Sequence, residues 1–103
     1  MKKILITTEQ LLGVQKAIKD VKNESEVSEV NVMYNNMNPD ILMVRFKEFY
    51  THEDGAVATE IRYVCVDKNG IQADCMTKYG NEFYHMLMDY TIIDLNNPLI
   101  QII

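Results

Sequence analysis

Two strand-like runs on either side of Asp54-Gly55 constrain the fold more than any other feature of the chain. Apolar and polar residues alternate before and after this dipeptide, which is the pattern of half-buried strands. An Asp-Gly pair between such runs is a strong signal for a β-hairpin with a two-residue turn. We therefore expect Ile41–Tyr50 to form one strand that pairs in antiparallel fashion with the strand after the turn.

A two-residue turn also fixes the register of this hairpin. Counting back from the turn places Lys47 opposite Arg62 and Arg45 opposite Val64. In this register Lys47 and both arginines of the chain lie on one face of the sheet. The other face is apolar and carries Val44, Phe46, Tyr50, Ile61, Tyr63 and Cys65. The sequence therefore predicts one basic face and one face that is buried in the core.

A helix is predicted after a short first strand, Lys3–Ile6. Thr7, with Gln10 three residues later, forms a capping box for a helix that runs to about Asn23. Apolar residues recur at helical spacing and would pack against the sheet. These residues are Leu11, Val14, Ile18 and Val21.

The remaining segments complete one domain of the α+β class, residues 1–103. Residues 30–34 alternate as a strand. A turn at Asn69-Gly70 predicts a second hairpin that sets Cys65 against Ala73 and Tyr63 against Cys75. Asn81 is expected to cap a second helix that extends toward Asp94. The predicted order is β-α-β-β-β-β-α-β, a mainly antiparallel sheet of four to six strands with both helices packed on one face.

Charge and hydropathy exclude two classes of partner. Residues 1–22 hold five lysines and two acidic residues, whereas the rest of the chain holds five basic and thirteen acidic residues. An acidic body of this kind argues against general nucleic-acid binding, which needs clustered Lys and Arg. No apolar run approaches the ~20 residues that cross a bilayer, and no signal peptide is recognisable. We expect a cytoplasmic protein that does not bind membranes.

Catalytic and metal-binding patterns are missing from the sequence. The four glycines fit neither a dinucleotide-binding loop nor a P-loop. His52 and His85 lie far apart, and Cys65 and Cys75 are expected to be inert thiols that face the core. We therefore predict no cofactor, no metal and no enzymatic activity. A small enzyme that uses His52 or His85 as a base is the third alternative.

The face that the helices leave uncovered is the predicted binding surface. It combines arginine with exposed thioethers, which are enriched at protein interfaces. Two ligands fit it: a protein partner, or a small anion such as a nucleotide signal held by the cations. The candidate residues are Arg45, Lys47, Arg62, Met33, Met43 and Glu60.

In size, acidity and richness in Ile, Asn, Lys, Met and Tyr, the chain is similar to small accessory proteins of bacterial phages and mobile elements. Many such proteins bind and block a host factor. The resemblance is compositional and involves no motif. It implies a non-enzymatic inhibitor of a host protein that counteracts host defence.

The strand-prone tail Leu99–Ile103 bears on assembly. An uncovered apolar edge is a template for association. The tail can be covered by docking beside the first strand, or it can join two copies at the sheet edge. The exposed Met and Val residues of the uncovered sheet face offer a second surface for association. We therefore expect a homodimer.

Overall fold

The computed structural model describes residues 3–103. The α+β class and the mainly antiparallel sheet are confirmed: five strands lie in the order β5-β4-β3-β2-β6, while β1 and β7 form a separate parallel pair. Within residues 3–103 no helix is long and apolar enough to cross a membrane. The elements are β1 Ile4–Ile6, α1 Thr8–Glu24, β2 Glu26–Tyr34, β3 Ile41–Thr51, β4 Val57–Asp67, β5 Gln72–Asp74, α2 Cys75–Tyr79, α3 Glu82–Met88, β6 Thr91–Ile93 and β7 Ile100–Ile102.

Helix α1 begins at the predicted capping box. The Gln10 amide donates to Thr7 Oγ1 at 2.9 Å, and the Thr7 amide donates to Gln10 Oε1 at 3.2 Å. The helix then buries an apolar stripe against one face of the sheet. The buried members of this first core cluster are Ile6, Val14, Ala17, Val21, Val32, Leu42, Val44, Phe46, Val64 and Val66.

The short helices α2 and α3 cover the opposite face. Phe83 of α3 is buried against Met33, Met43 and Cys65, which point away from α1. With Cys75 and Tyr90 they form the second core cluster. The prediction that both helices pack on one face is therefore wrong. The physical reason is that the run Leu42-Met43-Val44 places apolar side chains on both faces of the sheet. All three residues are fully buried, so both faces need a covering element. We refer to the two faces as the α1 side and the α3 side.

The turn of the β3–β4 hairpin is one residue longer than predicted. The His52 amide donates to the Ala56 carbonyl at 2.8 Å, and the Gly55 amide donates to the His52 carbonyl at 2.9 Å. Gly55 has a left-handed φ of 86°, as in a type I turn that is closed by a glycine bulge. Asp-Gly therefore occupies the last positions of the loop rather than its centre.

The longer turn shifts the register by one residue. Arg45 lies opposite Tyr63, and Arg62 lies opposite Phe46. A shift of one residue moves the side chains of one strand to the other face relative to its partner. The predicted pairs of Arg45 with Val64 and of Lys47 with Arg62 are wrong, and so is the single basic face.

The second hairpin follows the prediction more closely. Gly70 has a φ of 82°, and Cys65 is paired with Ala73 as expected. Cys75 was expected opposite Tyr63 in a continuing strand, but it begins α2 instead. The strand ends at Asp74, whose side chain caps this short helix.

The C-terminal segments differ from the prediction in their lengths. Helix α3 ends at Met88, and the next residues form β6 beside β2. Asn81 precedes α3 without making a side-chain capping bond. Strand β7 docks beside β1, with Ile100 opposite Ile4, so the tail is paired within the same chain. The tail thus takes the first of its two predicted positions.

Candidate interaction surface

The outer halves of β3 and β4 extend beyond both core clusters. Each strand is eleven residues long, but the clusters include no residue of β3 after Phe46 and none of β4 before Tyr63. The residues beyond these points, Lys47–Thr51 and Val57–Ile61, pair with each other across the hairpin. We call these two segments the distal surface.

The distal surface exposes apolar side chains. Val57 is 65% exposed, Tyr50 is 47% exposed and Ile61 is 40% exposed, and Phe49 is half-buried. Tyr50 points to the α1 side, whereas Phe49, Val57 and Ile61 point to the α3 side. Single exposed apolar residues are ordinary on protein surfaces, but several at one end of one hairpin form a patch.

Carboxylates dominate the α1 side near this patch. Arg62 Nη1 lies 3.7 Å from Glu24 Oε2 and 3.8 Å from Glu48 Oε1. Glu60 lies directly opposite Glu48 on the neighbouring strand. Ser25 Oγ donates to the other Glu48 oxygen at 2.7 Å. Arg62 is therefore engaged by acidic groups of its own chain.

The α3 side carries the other two predicted cations. Arg45 Nη1 donates to Asn31 Oδ1 at 3.2 Å and contacts Glu29 Oε2 at 3.5 Å. Lys47 is half-buried between Glu29 and Ile61 on the neighbouring strands. The guanidinium of Arg45 is thus neutralised locally.

The six predicted site residues fall into three groups. Arg45 and Lys47 share the α3 side, whereas Arg62 and Glu60 lie on the α1 side. A clamp that uses all three cations on one anion is therefore excluded by the sheet itself.

Met33 and Met43 form the third group. They are 8% and 0% exposed because Phe83 packs against them. The prediction that these thioethers belong to an open binding surface is wrong.

Sequence reasoning assigned part of the distal surface to the core. Tyr50 and Ile61 were expected in the buried apolar set, and Phe49 and Val57 were not singled out. The length of the hairpin was the sequence feature that could have indicated that these residues lie outside the core. Eleven residues at about 3.3 Å each extend roughly 36 Å, which exceeds the two shorter dimensions of the molecule, 28 and 24 Å.

The two cysteines form a buried thiol pair within the second core cluster. Both are free, as predicted, and both face the core. A hydrogen bond from Cys75 lowers the pKa of the Cys65 thiol to about 7, against the effect of burial. The same hydrogen bond, together with burial, raises the pKa of Cys75. Both thiols are buried, so the native fold shields them from reagents.

Both histidines are exposed, and neither belongs to a metal-binding group within residues 3–103. His52 is exposed at the hairpin tip, with its ring 5.4 Å from that of Tyr50, and His85 is exposed on α3. In the part of the chain that the structure describes, no three His, Cys, Asp or Glu side chains are placed to hold a metal ion.

A groove of about 700 Å³ lies at the other end of the molecule, near the β2–β3 turn. Its volume is within the usual range for small-molecule sites. Two lysines and two aspartates line it, so its formal charges cancel. The lining residues include Lys3, Thr7, Tyr34, Pro39, Asp40, Lys68 and Asp89.

No protein-family model, curated protein sequence or solved structure matches this chain.

Proposed function

We propose that this chain is a non-enzymatic binding protein that contacts a protein partner through the distal surface. The observation that carries the proposal is the exposure of Val57, Tyr50 and Ile61 on the outer halves of β3 and β4, which lie outside both core clusters. Large aromatic and aliphatic side chains supply most of the binding energy at protein interfaces, especially when a polar rim surrounds them. Lys47 and Glu60 provide charged groups at the margin of this patch.

The surface is held rigid before binding. Strands β3 and β4 are paired without interruption from Ile41 opposite Asp67 to Thr51 opposite Val57. Because the inner half of the hairpin is fixed between two core clusters, the outer half has little freedom to lose on association. A preorganised apolar patch of this kind favours binding by direct contact, and the activity would be to block the surface that the partner uses.

The partner that we propose is a protein of a bacterial host. This part of the proposal rests on the compositional similarity to accessory proteins of phages and mobile elements. The proposed site and the proposed partner therefore rest on different observations, and either one can be refuted while the other stands.

A capture experiment with matched variants tests the location. Tagged wild type and Tyr84→Lys, which alters a 59% exposed tyrosine on α3, should recover the same stoichiometric protein from a bacterial host lysate. Tyr50→Lys changes the α1 side of the patch, and Val57→Lys changes the α3 side. At least one of these two variants should lose the partner while retaining the melting temperature of wild type. Equal recovery by all four proteins would refute the distal surface as the site.

The groove near the β2–β3 turn supports a second candidate, the binding of a small anionic ligand such as a nucleotide. Its size, Lys3, Lys68 and the half-buried ring of Tyr34 are the supporting features. Calorimetric titration of the protein with nucleotides should give heat that Lys68→Ala abolishes and Lys78→Ala leaves unchanged. Absence of heat with every nucleotide would remove this candidate.

A further inference from the structure

The outer edge of β4 is unpaired over most of its length. Strand β5 pairs only with Val64–Val66, so no described strand lies beside Val57–Tyr63 on that edge. The Asp67 amide donates outward, to the Ile71 carbonyl at 3.1 Å. Because backbone groups alternate in direction along a strand, the odd-numbered residues before Asp67 also direct their N–H and C=O groups outward. These residues are Val57, Thr59, Ile61 and Tyr63.

The two free edges of the sheet differ in their protection. The outer edge of β2 is also free before Val32, but this strand has a bulge between Val27 and Glu29 and begins at Glu26. Both edges carry charged side chains, but only the β2 edge has a bulge, which is one of the usual means by which edge strands avoid association. Residues 57–63 read VATEIRY and pair with β3 in continuous register, without a bulge or a proline. The β4 edge is therefore the one suited to accept another strand.

We propose that a second copy of this chain adds to this edge, with the two β4 strands antiparallel about a two-fold axis at Glu60. In this register Val57 lies opposite Tyr63 of the second copy, and Thr59 lies opposite Ile61. Every outward N–H and C=O of residues 57–63 then meets a partner from the other copy. The two five-stranded sheets become one continuous sheet.

In this arrangement the side chains of residues 57–63 are complementary to those of the same segment in the second copy. On the α3 side, Val57 meets Tyr63 and Thr59 meets Ile61, and pairs of β-branched and aromatic residues stabilise neighbouring strands. On the α1 side, the two Glu60 side chains face each other, but an Arg62 from each copy flanks them two residues away. Within residues 58–62 of the two copies, two arginines and two glutamates therefore balance, while each Arg62 also contacts Glu24 and Glu48 of its own chain. The small side chain of Ala58 leaves room for Arg62 opposite it.

This dimer does not depend on the proposed function. It uses the backbone edge of the sheet and places two distal surfaces side by side, with Val57 and Ile61 of each copy next to residues of the other. It also differs from the association expected from the sequence, because the tail is already paired with β1.

Sedimentation equilibrium tests the assembly. The chain has a mass of 12.0 kDa, and we expect twice this mass at micromolar concentrations. Thr59→Pro removes an outward N–H that the monomer does not use, so it should yield a monomer with an unchanged circular dichroism spectrum. Tyr84→Lys, on α3, should remain dimeric. A wild-type protein that stays monomeric at hundreds of micromolar would overturn the proposal.

Disulfide trapping tests the register. In the proposed register, residue 60 of one copy lies directly opposite residue 60 of the other, in a pair that forms no backbone hydrogen bonds. The two Cα atoms of such a pair are about 4.5 Å apart, a distance that a disulfide can span. Glu60→Cys should therefore form a covalent dimer under mild oxidation, whereas Ala58→Cys, two residues away on the same face, should not. Trapping of Ala58→Cys as efficiently as Glu60→Cys, or of neither variant, would overturn the proposed pairing.

Discussion

Arg45 and Arg62 lie on opposite faces of the β3–β4 hairpin, since Arg45 is paired with Tyr63 and Arg62 with Phe46. Each guanidinium is close to carboxylates of its own chain, Glu29 for Arg45 and both Glu24 and Glu48 for Arg62. Each arginine is therefore engaged by carboxylates on its own face of the sheet. We propose the exposed apolar end of this hairpin as the part that contacts a partner.

Two phenylalanines of β3 should contribute very differently to stability. Phe46 is fully buried in the first core cluster, whereas Phe49 is half-buried and belongs to neither cluster. Phe46→Ala should lower the free energy of unfolding by about 3–5 kcal/mol, and Phe49→Ala by about 1 kcal/mol or less. Urea denaturation measures both values. Equal losses would mean that the core extends to the outer half of the hairpin.

Gly13 should resist replacement even though it lies within a helix. Alanine normally stabilises a helix relative to glycine by about 1 kcal/mol. Here a Cβ on Gly13 would lie 2.5 Å from the Gly70 carbonyl oxygen and 2.7 Å from Val66 Cγ1. We expect Gly13→Ala to lower the free energy of unfolding by roughly 1–3 kcal/mol, because overpacking outweighs helix propensity. A stabilised variant would show that α1 does not approach the β4–β5 turn this closely.

Tyr90 should give the protein a specific sensitivity to alkaline pH. Its hydroxyl donates to the Ile41 carbonyl at 2.8 Å, and burial raises its pKa well above the usual range. A raised folded-state pKa contributes stability that is present below the unfolded pKa of about 10 and is lost as the pH rises above it. Tyr90→Phe should cost about 1–2 kcal/mol at neutral pH and should lose stability less steeply above pH 10 than wild type. The exposed Tyr84→Phe serves as the control, and identical alkaline slopes for wild type and Tyr90→Phe would contradict this account.

The parts of the fold that depend on local chemistry could be predicted from the sequence. The capping box at Thr7 and the left-handed turn at Gly70 are set by residues within a few positions of each other. The position of the tail could only be listed as one of two alternatives. Pairing of Ile4 with Ile100 depends on the assembled fold and leaves no local pattern.

The register of the central hairpin could not be predicted from the residue pattern, and the predicted binding site depended on that register. Asp54-Gly55 fits a two-residue turn and also the end of a longer turn with a left-handed glycine. Hydrophobic alternation usually decides between such registers. It does not decide here, because β3 has Leu42 and Phe46 on one face and Met43 on the other, all fully buried.

Photo-crosslinking in a bacterial host tests the central claim most directly. A photoreactive phenylalanine analogue placed at Phe49 or Tyr50, on opposite sides of the distal surface, should give an adduct of defined mass with a protein other than the chain itself. The same analogue at Tyr84, which is exposed on α3, should give none. Adducts at Tyr84 alone, or none at either distal position, would contradict the assignment of the outer β3–β4 hairpin as the binding surface.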